Sequence, residues 1–159
     1  MPDPASLTEL GLIGLFLAAF VAGSIVPFSS EVVMGGVLAL GVSTWSVVTV
    51  ATVGNVLGAL TLYGMGRLVT ARKQGGRRLT DRLLARFTAE DPARLARARK
   101  LIDKWGPAAL LAAWIPIVGD ALVLAAGMLA LPLAPVTFYT TIGKAARYLA
   151  LAAGVAAVQ

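Results

Sequence analysis

Val26-Pro27-Phe28-Ser29-Ser30-Glu31 is matched 89 residues later by Ile115-Pro116-Ile117-Val118-Gly119-Asp120, and the match decides the fold. Each stretch sets a carboxylate four residues after a proline, inside otherwise apolar sequence. The same offset of 89, without a gap, lays Gly54-Asn55 on Gly143-Lys144. Apolar sequence matches itself easily, so pairs such as Leu12 with Leu101 carry little weight. The repeated proline and acid carry most of it. A duplicated hydrophobic segment, broken by proline with an acid at the break, points to a transporter-like membrane protein built from two structural repeats.

Composition agrees. Hydrophobic residues make up 58% of the 159, with a mean hydropathy of +0.81, whereas soluble domains run at roughly 45–50%. Charge is confined: 12 of the 14 Lys and Arg lie between Arg67 and Lys104, with only Lys144 and Arg147 elsewhere. Four of the eight acids share that stretch, leaving Asp3, Glu9, Glu31 and Asp120 outside it. The chain is two apolar blocks around one basic linker. Its net charge of +6 therefore suits a loop at a membrane better than a nucleic-acid surface, and no nucleic-acid partner is expected. Without cysteine or histidine, the chain lacks the commonest metal ligands and general bases. No metal site, cofactor or enzymatic activity is expected. Residues 1–10 carry Asp3 and Glu9 but no Lys or Arg, so they do not read as a cleavable signal.

Leu10 to Ser30 is apolar for about the 20 residues a membrane-crossing helix needs. Gly23-Ser24 and Pro27 interrupt its second half, and the Glu31–Leu40 piece that follows is too short to cross. A re-entrant hairpin fits these lengths better than two spans. Irregular backbone at its tip must then be buried in protein or line a wet cavity. Trp45 to Met65 is a cleaner span, with Trp45 at one interface and Tyr63 and Arg67 near the other. Residues 67–104 form the linker, where Leu79, Leu83 and Phe87 recur every four residues. Asp91-Pro92 then suits a helix start, followed by a stripe of Leu95, Ala98, Leu101, Ile102 and Trp105. Both stripes read as basic amphipathic helices, lying at a membrane surface or covering the bundle. The second block repeats the first: Ala108–Trp114, a break over Pro116 to Asp120, Ala121–Leu131, then a last span from Val136 to Val155.

The expected fold is all-α: one polytopic membrane domain of two inverted repeats, about 10–66 and 105–157. Each repeat is a re-entrant helical hairpin plus a transmembrane helix, with Pro27 and Pro116 as the hairpin breaks. The basic linker, 67–104, is cytoplasmic by the positive-inside rule, which puts both termini on the other side.

In order along the chain, several segments resemble the DedA family, also called VTT or SNARE-associated Golgi proteins, and its small YqaA-like branch. They are Pro27-Phe28-Ser29-Ser30-Glu31, Gly54-Asn55-Val56-Leu57-Gly58 running to Tyr63-Gly64-Met65-Gly66-Arg67, and Lys104-Trp105-Gly106-Pro107. Trp114-Ile115-Pro116-Ile117-Val118-Gly119-Asp120 and Gly143-Lys144-Ala145-Ala146-Arg147-Tyr148 complete the set. The resemblance implies two facing re-entrant hairpins, a bacterial inner-membrane location, and movement of phospholipid or polyprenyl phosphate across the bilayer. Better-known members carry arginines around the second proline. Here Ala113 and Gly119 hold those places, so the resemblance does not extend to an arginine-based phosphate site.

The candidate site rests on the charges left inside the apolar blocks. Glu31 and Asp120 each begin a short helix, where a carboxylate suits the free N–H groups. At membrane depth acids are costly and usually functional. Two of them meeting in one cavity would gate or drive passage of a charged headgroup by taking up and releasing protons. Lys144 and Arg147, three residues apart, share a helix face. They either pair with the two acids or bind a phosphate headgroup. Asn55, at the register position of Lys144, either bonds a neighbouring helix or touches substrate. The expected function is a lipid or lipid-linked anion flippase or scramblase, proton-coupled through Glu31 and Asp120. The alternatives are a proton-coupled small-ion transporter and a membrane assembly or integrity factor without transport. Membrane lipids and protons are the expected partners, and a homo-oligomer fits the reading.

Overall fold

A computed structural model describes residues 4–24, 30–71 and 92–157, and every regular element among them is helical. Pro27, together with Leu79, Leu83 and Phe87, lies outside the described residues. The first helix, α1 (Pro4–Gly23), has no internal glycine–proline break and is apolar all round. Leu15, Ala19 and Gly23, one turn apart, are buried, while Leu10, Ile13 and Leu17 are exposed. Such a helix keeps an apolar face that no protein covers, as a helix facing lipid does. The short α2 (Ser30–Ala39) folds back along it, so that the bare face of Gly11 meets Val37 and Leu40.

The long helix α3 (Thr44–Ala71) runs beside α1. Close approach explains its glycines: a Cβ on Gly54 would sit 2.6 Å from the Phe16 carbonyl oxygen, and one on Gly58 would lie 3.0 Å from Gly23 Cα. Small residues let the two backbones touch, the packing expected where water offers no hydrophobic drive between helices. The expected change from repeat to linker at 66–67 falls inside this helix, which continues to Ala71. Its last turns have a tertiary task. Tyr63 donates its hydroxyl to Leu131 O (2.6 Å), Arg67 Nη1 donates to Ala130 O (3.1 Å) and Thr70 Oγ1 to Met128 O (2.7 Å).

The next described helix, α4 (Pro92–Trp105), starts at the expected proline. Ala98 and Ile102 bury into the body while Leu101 and Trp105 stay exposed, so the apolar stripe covers the bundle along one edge. It passes at Gly106 (φ 58°) into a 3₁₀ helix, Gly106–Trp114. Together these two equal α1 in position. The return helix α5 (Val118–Met128) buries seven of its eleven residues, and α6 (Leu133–Ala156) closes the fold against α3 and the 3₁₀ helix.

Element bounds follow the offset read in the sequence. Shifted by 89, Ser30–Ala39 becomes 119–128, within one residue of α5, and the start of α3 becomes 133, the start of α6. The caps repeat as well. Gly41 (φ 77°) and Ala130 (φ 55°), 89 apart, both hold the left-handed residue that ends a helix. At both, the amide bonds the carbonyl three residues back, Gly41 N to Leu38 O and Ala130 N to Gly127 O. Gly54 and Gly143 likewise each face a carbonyl oxygen of the helix before, Phe16 O and Leu111 O, at 2.6 Å from an added Cβ. The turn after α2 leads into the N-terminal end of α3, whereas the end of α5 is gripped by the C-terminal end of α3.

Candidate functional site

A cavity of about 290 Å³ lies where the two halves meet. Its walls come from α2 (Ser30, Glu31), α3 (Asn55), the turn before α5 (Pro116, Ile117) with Asp120, and α6 (Lys144, Arg147). The sequence-predicted residues Glu31, Asp120, Lys144, Arg147, Asn55 and Pro116 all line it. These residues are widely separated in sequence, and the crossing of α3 and α6 brings them together.

Each element presents its polar residue for a local reason. Glu31 and Asp120 fall in the first turns of α2 and α5, so both carboxylates sit at helix starts. α5 has Ile117 at its N-cap and no side-chain cap there; the partner of Asp120 is instead Lys144 Nζ, 3.8 Å away. Lys144 is buried and donates to Asn55 Oδ1, so the two register-related residues touch. Arg147 Nη2 donates to Glu31 Oε1 in the second ion pair, which is more open: both side chains are just over a quarter exposed, against 6% for Lys144. Two cations and two acids leave the cavity without net charge. Pairing of Lys144 and Arg147 with the acids, one of the two expectations, is thus present.

The sequence reading missed Tyr148. It is the largest fully buried side chain, and its hydroxyl lies 2.8 Å from Ser30 Oγ and accepts from Asn55 Nδ2 at 2.9 Å. The available signal was its spacing: one turn after Lys144, it shares that residue's face. Ser30 bonds across to α6 through the Tyr148 hydroxyl. Arg67, expected to mark an interface, caps the end of α5. Among the described residues no group of three or more acidic, histidine or cysteine side chains is placed to hold a metal ion.

The turn at Pro116 carries backbone strain. Ile117 has φ 69° and ψ −47°, and Val118 N bonds Pro116 O at 2.7 Å. This three-residue turn with positive φ is rare for any residue other than glycine and worse for a β-branched one. Such strain costs about 1–3 kcal/mol and persists where its surroundings enforce it. Ile117→Gly is therefore expected to raise stability by about 1 kcal/mol, after about 0.5–1 kcal/mol of lost glycine chain entropy is deducted. Thermal unfolding of the purified protein in detergent measures it; a lowered midpoint would mean that the turn is unstrained.

The VTT domain family matches residues 24–157, most of the chain and both halves of the cavity. The inner membrane protein YqaA of Escherichia coli (strain K12) is 37% identical over 145 residues, covering 91% of this chain and 90% of that protein. An uncharacterized protein of Haemophilus influenzae is 31% identical over 86% of this chain and 82% of its own length. A protein of Lactococcus lactis subsp. cremoris named alkaline phosphatase-like is 28% identical over 86% of this chain and 65% of its own. No solved structure matches significantly. With a matched domain that contains all four paired charges of the cavity, the chain belongs to the DedA/VTT family and is similar to its YqaA-like members.

Proposed function

We propose that the chain is a multi-pass protein of the bacterial inner membrane that moves a lipid or lipid-linked anion between leaflets, with Glu31 and Asp120 coupling the movement to protons. One observation carries this reading: two acids and two cations from opposite halves share one cavity inside a body of apolar helices. The similar E. coli protein is named for the inner membrane. α1 and α3 are long and apolar enough to cross a bilayer, whereas α2 and α5 are not. At 1.5 Å per residue, α2 and α5 reach about 15–17 Å, half of a 30 Å hydrocarbon core. That length supports two re-entrant hairpins entering from opposite sides, an inverted pair whose tips carry Glu31 and Asp120 to the midplane. The basic segment between the repeats then lies in the cytoplasm.

Chemically, the site is held neutral by its own acids. A phosphate headgroup competes with Glu31 for Arg147 and with Asp120 for Lys144, and protonation of the acids frees the cations to bind it. Release follows when the acids lose their protons and reclaim Arg147 and Lys144. Fluorescent-lipid movement in proteoliposomes, run beside a proton-flux assay, tests this. Glu31→Gln and Asp120→Asn should each cut lipid movement at least tenfold and remove its pH dependence. Unchanged movement in both variants would refute the mechanism. A second reading, proton-coupled transport of a small ion, draws on the cavity volume, which sits at the small end for a binding site of roughly 300–1,000 Å³. Proton flux without lipid movement would favour it. If both acids prove dispensable while the linker does not, the chain is an assembly or integrity factor.

A further inference from the structure

The two hairpin tips are joined by an unbroken line of polar side chains: Ser30, Tyr148, Asn55, Lys144 and Asp120. Asn55 engages both ends of its amide, accepting from Lys144 at Oδ1 and donating to Tyr148 from Nδ2. The Tyr148 oxygen accepts that bond, and its single proton is available to Ser30 Oγ, 2.8 Å away, where either hydroxyl can donate. A turned Asn55 amide would take the tyrosine proton and remove it from Ser30.

We infer that Asn55 and Tyr148 are positioning residues that form a relay, through which an anionic group occupying Lys144 loosens the N-terminus of α2. The relay rests on the reading of the cavity as an anion site. A ligand oxygen on Lys144 takes away the charged donor that orients Asn55. The amide is then free to turn and take the tyrosine proton, so that the tie between Tyr148 and Ser30 has to be remade with the serine as donor. Ser30 and Glu31 are adjacent, and both hold α2 to α6, so the same end of α2 loses its grip when Arg147 also turns to the ligand.

Movement falls on α2 because its counterpart is fixed. Of ten residues α2 buries three, Ser30, Met34 and Val37, whereas α5 buries seven of eleven. The far end of α5 is held by Tyr63, Arg67 and Thr70. At the positions 89 residues after Tyr63 and Arg67 stand Ala152 and Ala156, whose side chains cannot donate to the end of α2 as those two donate to the end of α5.

The absence of cysteine allows a direct test. Spin labels on Val32→Cys and Val53→Cys, both exposed positions, report the distance from α2 to α3. The protein is placed in phosphatidylcholine nanodiscs with or without phosphatidylglycerol, and bound phosphatidylglycerol is counted by native mass spectrometry. The expected result is a shift of the label distance on phosphatidylglycerol binding in the labelled parent. Tyr148→Phe should lose that shift while keeping binding within about fivefold, the worth of one hydrogen bond. Ser30→Ala, which leaves every buried ring in place, should do the same and serves if Tyr148→Phe folds poorly. A parent that binds without a shift, or a Tyr148→Phe protein that shifts fully, overturns the relay alone. Binding no greater than in Lys144→Met overturns the anion site, and the relay with it.

Discussion

Asp120→Asn is expected to destabilise the protein by roughly 3–5 kcal/mol, the cost of stranding a buried charge. The Lys144 side chain is 6% exposed, and its ammonium has Asp120 as its charged partner, with Asn55 as a neutral one. Neutralising the acid leaves the mostly buried cation with the neutral Asn55 in place of a charged partner. Glu31→Gln should cost about 1 kcal/mol or less, because its pair with Arg147 is more than a quarter exposed on both sides and screened accordingly. Thermal unfolding in detergent measures both. Adding Lys144→Met to Asp120→Asn should restore most of the loss, since replacing a whole buried pair is often near neutral. Equal losses from Asp120→Asn and Glu31→Gln would show that the two pairs share one environment.

Lys144 is the least exposed of the four charges, and Glu31–Arg147 is the more open pair, so under the proposed mechanism it is the one a headgroup would reach at least cost. Loss of lipid movement in Glu31→Gln with stability kept would be a functional effect, whereas the same loss in Asp120→Asn has to be corrected for unfolded protein. Transport assays on Glu31 are accordingly the cleaner measure of mechanism.

Much of this was legible before any coordinates. The offset of 89 fixes positions on helices, and helices preserve spacing, so Glu31 with Asp120 and Asn55 with Lys144 could be paired from sequence alone. Proline and acid are rare in apolar sequence, which made the starts of α2 and α5 readable. Tyr148 was not legible because its role depends on partners from two other helices, Ser30 and Asn55, and an aromatic in an apolar span reads as packing. Arg67 near a helix end suits an interface, and the fold adds what spacing could not show, its bond to the Ala130 carbonyl just beyond α5. The stripe on α4 was legible as a face that either lies at a membrane surface or covers the bundle, and burial of Ala98 and Ile102 decides for the second.

Gly127→Val is expected to lower stability by about 3 kcal/mol or more, at the upper end of what overpacking costs. A Cβ on Gly127 would overlap the Tyr63 carbonyl oxygen and lie 3.0 Å from Tyr63 Cα. Those are backbone atoms, which cannot rotate aside as a flexible side chain would. α5 must instead move off α3, and Leu122, Val123 and Ala126, all fully buried, lose their contacts together. Separation also pulls Met128 O and Leu131 O from Thr70 and Tyr63, and no water is at hand in hydrocarbon to replace those bonds. Gly58→Val should behave alike, its Cβ meeting Gly23 backbone at 2.9 Å. Gly35 and Gly64 are the controls. Nothing lies within 4 Å of an added Cβ at either, so alanine there should stabilise its helix by about 0.5–1 kcal/mol. Unfolding midpoints of the four variants separate close approach from helix propensity: all four falling together would mean that glycine at 127 and 58 has no special contact to protect.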